Sequence, residues 1–195
     1  MLIDRFLPRY DVTYVCEMSV DAPPDETYAA IKETNLRDPL VDALFSIREL
    51  PLRLYRRLRG QTPPARRTPR RVPFAEMPAQ GPEWVSLAEE PGTEFVLASV
   101  GRFWRKDYGG RKVTAEEFVP FREPGFAKLA LSLAVRPAGS GAILRYEART
   151  ATTDETARRA FRRYWRLIAP GVGLIMRRVV RRIKVEAEHR AGVAV

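Results

Sequence analysis

Residues 153–190 read TDETARRAFRRYWRLIAPGVGLIMRRVVRRIKVEAEHR, and this stretch decides the fold. At about 100° per residue, the side chains of its first half separate onto two faces of a helix. Apolar side chains occupy a sector of about 140°, and arginines fill the opposite sector. The apolar members are Ala157, Ala160, Phe161, Tyr164, Trp165 and Ile168, and the arginines are Arg158, Arg159, Arg162, Arg163 and Arg166. The pattern predicts a long amphipathic helix that covers a core.

The ends and the middle of this helix carry their own signals. Either Thr153 or Asp154 supplies the N-cap, because both side chains accept hydrogen bonds from the free N–H groups of a first turn. We expect the helix to run towards His189 with one interruption, at Pro170-Gly171. Beyond that point the apolar stripe continues in a shifted phase, as a kink would produce. Its members are Ile175, Val179, Ile183 and Ala187. The sequence therefore predicts two helical segments joined at a kink.

The N-terminal part predicts one strand followed by two short helices. From Asp11 to Asp21 apolar and polar residues alternate, which is typical of a half-buried strand. The strand ends at Ala22-Pro23-Pro24, and the acidic residues that follow suit the first turn of a helix. A second helix is predicted over residues 36–50, LRDPLVDALFSIREL, where apolar residues recur at helical spacing.

An insertion rich in arginine and proline follows, at about residues 53–82. Its repeated prolines interrupt both regular elements, so we expect an extended, partly mobile segment. Two interpretations stay open for its charge. The arginines either belong to a solvated loop or form a docking surface for phosphates.

Five further strand signals come at short intervals and predict an antiparallel meander. They cover residues 84–88, 94–104, 112–118, 126–136 and 142–151. In the last one, apolar and charged residues oppose each other, so we expect one face to be wet and the other to lie under the long helix. The apolar side has Leu144, Tyr146, Ala148 and Thr150, and the charged side has Arg145, Glu147 and Arg149.

Composition narrows the class of protein. The 195 residues suffice for one domain. They contain neither an apolar run long enough to span a bilayer nor a segment that resembles a secretory leader. We therefore expect a cytoplasmic location. With Cys16 and His189 as the single cysteine and histidine, neither an internal disulfide nor a Cys/His zinc site is expected. No metal is predicted, although a site built from carboxylates alone stays open. No glycine-rich phosphate loop precedes a helix, and no cofactor is predicted.

The net charge of +10 favours a polyanionic partner without choosing one. Nucleic acid, an anionic membrane surface and an acidic protein all fit. The excess is mostly arginine, which a GC-rich genome explains as well as phosphate recognition does. Nucleic acid is the weaker of these options, because the aromatic residues of the long helix share its buried face rather than its arginine face.

Four blocks of sequence carry a resemblance to a known superfamily. They are VDAPPDETYAAI (20–31), VGRFWR (100–105), EFVPFREPGFAKLALSLAV (117–135) and FRRYWRLIAPGVGLIMRR (161–178). Together with the order of elements, they resemble the START/Bet v 1-like (SRPBCC) superfamily of polyketide cyclase/dehydrase and lipid-transport proteins. The resemblance covers nearly the whole chain outside the insertion. It implies an α+β helix-grip fold, in which a curved antiparallel sheet wraps around the kinked C-terminal helix and encloses a cavity for an apolar ligand.

That implied cavity and the two apolar surfaces predict a set of ligand-contacting residues. They are Tyr14, Met18, Leu144 and Tyr146 from the strands, with Phe161, Tyr164, Trp165 and Ile168 from the helix. The alternative is that these side chains are ordinary core packing. The ligand would be a lipid, a polyketide or an aromatic metabolite.

The sequence contains few candidates for catalytic residues. His189 is close to the end of the chain, and Cys16 is on the covered face of a strand, where a thiol behaves as a small apolar group. The adjacent pairs Glu89-Glu90 and Glu116-Glu117 would point to opposite faces of their strands, so neither forms an acid/base dyad. A cyclase working by shape would still use a tyrosine to polarise a carbonyl. The candidates are Tyr14, Tyr28 and Tyr146.

Three functions follow from these observations. Binding or carriage of an apolar small molecule comes first, and a polyketide cyclase/dehydrase-like enzyme without a metal or nucleotide cofactor comes second. The third is a basic protein that adheres to anionic membrane or nucleic acid through its arginines. The ligand and the oligomeric state stay open.

Overall fold

A computed structural model describes residues 1–35, 73, 74, 76, 77, 84–105 and 108–192. Within them the chain is α+β, as predicted. The elements are α1 (Ile3–Phe6), β1 (Val12–Val20), α2 (Pro24–Glu33), β2 (Trp84–Glu90), β3 (Glu94–Gly101), α3 (Ala115–Phe118), β4 (Ala127–Ala138), β5 (Gly141–Thr152) and α4 (Glu155–Arg190). The helix predicted over residues 36–50 and most of the insertion lie outside the described residues. No described helix combines the length and apolarity needed to cross a bilayer.

The five strands form one antiparallel sheet in the order β1-β5-β4-β3-β2. Each of β2, β3 and β4 pairs with the next strand along the chain. Short links join β2 to β3 and β4 to β5, whereas residues 102–126 with helix α3 join β3 to β4. β1 pairs with β5, so that Cys16 lies opposite Tyr146. Strands β1 to β5 confirm the predicted ones at 11–21, 84–88, 94–104, 126–136 and 142–151.

The strand predicted over residues 112–118 is wrong, because its second half is helix α3. Thr114 and Glu117 form a capping box there. The Thr114 hydroxyl accepts a hydrogen bond from the Glu117 amide at 3.2 Å, and the Glu117 carboxylate accepts one from the Thr114 amide at 2.8 Å. These reciprocal bonds satisfy amides that a short helix leaves free, and they outweigh the local alternation.

Helix α4 starts at Asp154, whose carboxylate accepts a hydrogen bond from the Ala157 amide at 2.8 Å. Thr153 has another role, since its hydroxyl bonds to the amide and carbonyl of Phe126. The helix then runs for 36 residues through Pro170 without the predicted interruption. Proline has no N–H group, so the carbonyl one turn before Pro170 lacks its helical hydrogen bond. Because Pro170 is exposed, this carbonyl lies on the solvent side, where the missing bond is tolerated.

The glycine that lets the sheet approach α4 is Gly173, not Gly171. A β-carbon at Gly173 would overlap the hydroxyl end of Tyr14 on β1, whereas one at Gly171 would meet open space. Sequence reasoning singled out Pro170-Gly171 because the dipeptide is a helix breaker. The close approach of Tyr14 is a tertiary contact that no local signal records.

The side of the sheet that faces away from α4 is buried as well. Strand β3 is buried along its whole length, and its outward residues pack with the N-terminal segment and with helix α3. This outer core contains Leu2, Ile3, Leu7, Leu87, Val96, Ala98, Val100, Phe118, Phe126 and Ala130. The predicted wet face of β5 is therefore wrong in part. The side chains of Glu147 and Arg149 are only 3% and 8% exposed.

Glu94 fastens the N-terminal segment to this outer face. Its carboxylate accepts hydrogen bonds from the amides of Leu2 and Ile3 at 2.7 and 3.2 Å and from the Ser132 hydroxyl at 2.6 Å. The first amides of a helix have no partner within it, so the carboxylate satisfies donors that would otherwise be buried unpaired. Arg149 adds a second tie, donating to Asp4 at 2.7 Å and to the Leu7 carbonyl at 3.2 Å.

Replacing Glu94 with Gln should lower the free energy of unfolding by about 1–3 kcal/mol, because two buried amides lose a charged acceptor. Chemical denaturation followed by circular dichroism measures the change. Glu90→Gln is the matched control, since Glu90 is exposed at the end of the neighbouring strand. Equal midpoints for both variants would show that Glu94 does not hold the N-terminal segment.

The two glycines of α4 should respond differently to alanine. Gly171→Ala should raise the free energy of unfolding by up to about 1 kcal/mol, because alanine is the better helix former. Gly173→Ala should leave the free energy of unfolding unchanged or lower it, because the added methyl group displaces Tyr14. Thermal denaturation compares the two variants. In a Tyr14→Ala background the difference between them should shrink, and a difference that persists would exclude the Tyr14 contact as its cause.

Candidate functional site

Helix α4 is buried at both ends of its core-facing stripe but not in the middle. Its buried residues include Ala157 and Phe161 near the start and resume only at Gly173. The residues 162–172 contain no buried member, although the apolar stripe continues through them. The stripe residues of this stretch, all half-buried, are Tyr164, Trp165, Ile168 and Val172. The sheet therefore does not close against the middle of the helix.

The facing strands show the same interruption. On β4, Ala127 is fully buried near one end and Leu133 near the other, while Leu129 between them is half-buried. On β1 and β5 the half-buried residues include Tyr14 and Ala148, which lie opposite each other in the register. We call these two facing sets of half-buried residues together the apolar cleft. It is lined by Tyr14, Cys16, Leu129, Ala148, Tyr164, Ile168 and Val172.

The sheet contributes two phenol groups to this region, those of Tyr14 and Tyr146. Tyr146 lies opposite Cys16, which places it diagonally next to Tyr14 on the helix-facing side of the sheet. Within the described part of the chain neither hydroxyl has a hydrogen-bond partner. Burial alone raises the pKa of Tyr146, so its phenol is neutral and available as a donor. Because a buried hydroxyl normally finds a partner, both phenols are candidates to bind a polar group of a ligand.

Tyr146 is buried in the main core, next to the apolar cleft. Its residue is 8% exposed, whereas its neighbours Leu133 and Leu144 on the same face of the sheet are 0% exposed.

The third tyrosine, Tyr28, is placed differently. Its hydroxyl donates to Glu89 at 2.9 Å, and Lys32 binds the same carboxylate at 2.8 Å. Burial, together with the hydrogen bond to Glu89 and its negative charge, raises the pKa of Tyr28. Glu89 thus serves to fix a helix to a strand, and the phenol of Tyr28 is already occupied.

The eight predicted ligand-contacting residues fall into two groups rather than one wall. Tyr14, Met18, Leu144 and Tyr146 belong to or pack against the main core between sheet and helix. Phe161, Tyr164 and Trp165 belong to a second group at the start of α4, and Ile168 is half-buried between the two groups along the helix. We call the second group the aromatic cluster. It comprises Phe103, Trp104, Tyr108, Phe161, Tyr164 and Trp165.

The aromatic cluster is a packed group near the start of α4. Phe161 lies at its centre, stacked on Trp165 with ring centroids 5.9 Å apart and edge-on to Trp104 at 6.3 Å. Such ring pairs stabilise a packed group beyond the area that they bury. Phe161 is 2% exposed and packs as core, while Trp165 keeps part of its surface accessible.

Sequence reasoning missed Phe74 altogether. This residue lies within the insertion that was interpreted as an extended segment, yet it is 1% exposed in the main core. Its ring lies edge-on to Phe95 at 5.7 Å and to Tyr146 at 6.3 Å. The sequence offered one signal, an isolated phenylalanine among arginines and prolines. A single apolar residue does not produce a periodic pattern, so it predicts neither a helix nor a strand.

Other reactive groups add little to the site. Burial raises the pKa of the Cys16 thiol, which lowers its reactivity at neutral pH. His189 is exposed near the end of α4. In the described residues no three His, Cys, Asp or Glu side chains come together as a metal site.

Neither a protein-family model nor a curated protein matches the chain. Solved structures similar to it include protein MLL2253 from Mesorhizobium loti, with 12% identity, a TM-score of 0.43 and coverage of 91% of this chain and 98% of that one. The di-domain ARO/CYC StfQ from the steffimycin biosynthetic pathway has 15% identity and a TM-score of 0.35, over 93% of this chain and 52% of that one. Ara h 8.0201 has 12% identity and a TM-score of 0.32, over 90% and 97%.

At these identities and TM-scores, the similarities carry no argument about function. The fold follows from the chain itself, through the strand order β1-β5-β4-β3-β2 and the single long helix packed on the inner face of the sheet. By that architecture, the chain has the α+β helix-grip fold that its START/Bet v 1-like resemblance implies.

Proposed function

We propose that this protein binds an apolar small molecule in the apolar cleft between the sheet and α4. The observation that carries the proposal is the unburied middle of α4, residues 162–172, opposite half-buried strand residues. An apolar surface left open between two well-packed ends is a cost unless something covers it. A ligand buried there would remove this surface from water.

The phenols of Tyr14 and Tyr146 indicate which polar groups the ligand should carry. Apolar pockets usually hold a few polar groups that orient the ligand, and here two hydroxyl donors are available side by side. A ligand with one or two hydrogen-bond acceptors on an apolar skeleton would satisfy them. Lipids, polyketides and aromatic metabolites all meet this description.

The same geometry favours binding or carriage of a ligand over catalysis. Among the described residues neither Tyr14 nor Tyr146 has a carboxylate or imidazole within hydrogen-bond distance to act as its proton-transfer partner. Tyr28 has such a carboxylate in Glu89, and their hydrogen bond joins a helix to a strand. A cyclase-like enzyme stays the second candidate, and it would have to rely on the shape of the cleft and on tyrosine donors.

A specific observation also favours adhesion to an anionic membrane surface. Leu167 is 82% exposed on α4, and Leu174, two turns further on, is 39% exposed. Both lie among exposed arginines of the same helix, such as Arg166 and Arg177. Exposed leucines flanked by arginines match the interface of anionic headgroups and acyl chains. A carrier would exchange its ligand there.

Binding to the cleft is tested with N-phenyl-1-naphthylamine, an uncharged apolar probe whose fluorescence rises on burial. We expect saturable binding of one probe per chain. Ala148→Leu should weaken binding by about tenfold or more, because the larger side chain fills part of the cleft. Ala134→Leu is the matched control, since Ala134 is half-buried on the opposite face of the sheet. Absence of probe binding, or equal weakening by both substitutions, would refute the proposed site.

Membrane adhesion is tested by sedimentation with vesicles of phosphatidylglycerol or of phosphatidylcholine. We expect binding to the anionic vesicles alone, with affinity falling as salt rises. Replacing Leu167 and Leu174 together with alanine should weaken it, whereas Val119→Ala should not, because Val119 is an exposed apolar residue on another element. Binding to both kinds of vesicle would contradict an electrostatic origin.

A further inference from the structure

Four arginines and a tryptophan form an open pocket on the surface of α4. It has a volume of about 540 Å³ and is lined by Arg159, Arg162, Arg163, Trp165 and Arg166. The arginines follow one another at spacings of three and four residues, at which like charges on a helix repel each other and destabilise it. We call this the arginine pocket.

The pocket's positive charge is left largely unbalanced by the described part of the chain. Arg162, Arg163 and Arg166 have no described carboxylate within ion-pair distance, and Arg159 has only Glu155 at 4.0 Å. Other arginines of the fold are neutralised at shorter range. Arg149 binds Glu147 at 2.6 Å, for example.

Trp165 belongs to both the arginine pocket and the aromatic cluster, and its neighbour Tyr164 belongs to both that cluster and the apolar cleft. It stacks on Phe161 in the aromatic cluster, and its remaining accessible surface lines the pocket. A molecule in contact with Trp165 thus meets guanidinium groups on one side and the aromatic end of the cleft on the other. This juxtaposition suits a ligand that is apolar along its body and charged at one end.

We infer that the arginine pocket binds the anionic head of an amphiphile whose apolar body occupies the cleft. The inference rests on the proposed function, and it narrows the ligand to apolar molecules that end in a carboxylate or phosphate. Guanidinium groups bind these anions through paired, charge-assisted hydrogen bonds. The head group also relieves the repulsion among the four arginines.

The head group is tested with cis-parinaric acid and its methyl ester, two fluorescent probes that share one polyene chain. At pH 7.5 the intact protein should bind the acid at least about tenfold more tightly than the ester, as one or two charge-assisted hydrogen bonds provide. The double substitution Arg162→Gln with Arg166→Gln should abolish this preference while leaving the affinity for the ester unchanged.

Arg177→Gln with Arg181→Gln is the matched control. These two residues are exposed on the same helix at the same spacing, outside the pocket, and their replacement removes the same charge. The control should keep the preference for the acid. Equal affinity for acid and ester in the unmodified protein, or an equal loss of preference in the control, would overturn the inference while leaving the cleft intact.

Two further outcomes separate the possible sources of failure. If neither probe binds, the proposed function fails and the head-group inference falls with it. Vesicles of phosphatidylglycerol provide the second arm, measured with the same variants. If the Arg162/Arg166 variant loses vesicle binding but keeps its preference for the free acid, the arginines serve a membrane surface and the inference is overturned.

Discussion

Strand β3 and most of β4 are buried on both faces of the sheet, and the rest of the structure depends on covering both. Strand β3 shows this most clearly, since every one of its residues is buried. Helix α4 covers one face, and the N-terminal segment with α3 covers the other. The second cover is short and would be weak by apolar contact alone. Glu94 therefore contributes to the stability of this cover. Its buried carboxylate accepts hydrogen bonds from two helix amides that would otherwise be unpaired, and these bonds hold the segment in place.

Helix α4 covers the inner face unevenly, and the less covered part is the candidate site. A twisted sheet meets a long helix well at some points and poorly at others. Here the contacts are tight at Phe161 and again from Gly173 onward, where the missing side chain admits Tyr14. Between them lie half-buried apolar side chains, next to the two phenols that have no hydrogen-bond partner among the described residues. The same packing that stabilises the domain at the two ends thus defines the cleft in the middle.

Charge is organised differently on the two sides of the molecule. On the outer face of the sheet, Arg145 and Arg149 are paired with Glu147, so one buried carboxylate meets a half-buried and a buried guanidinium group. On the first half of α4, arginines gather around Trp165 largely without such pairing among the described residues. Buried charge without a partner would destabilise the fold, whereas exposed charge costs little and remains available to bind an anion.

The sequence by itself determined the strands, the amphipathic long helix and the α+β helix-grip class, because alternation and helical periodicity are local records of which face is buried. It also supplied Tyr14 and Tyr146 as residues of interest on the inner face. The tertiary structure alone decided that residues 115–118 are helical, that Phe74 is core, that Glu147 and Arg149 are covered, and that Gly173 rather than Gly171 is the required glycine. Each of these depends on a partner distant in sequence or on a competing hydrogen bond. Only the packing shows that the predicted contact residues separate into a core group and an aromatic cluster, since periodicity reports which face is buried but not how completely.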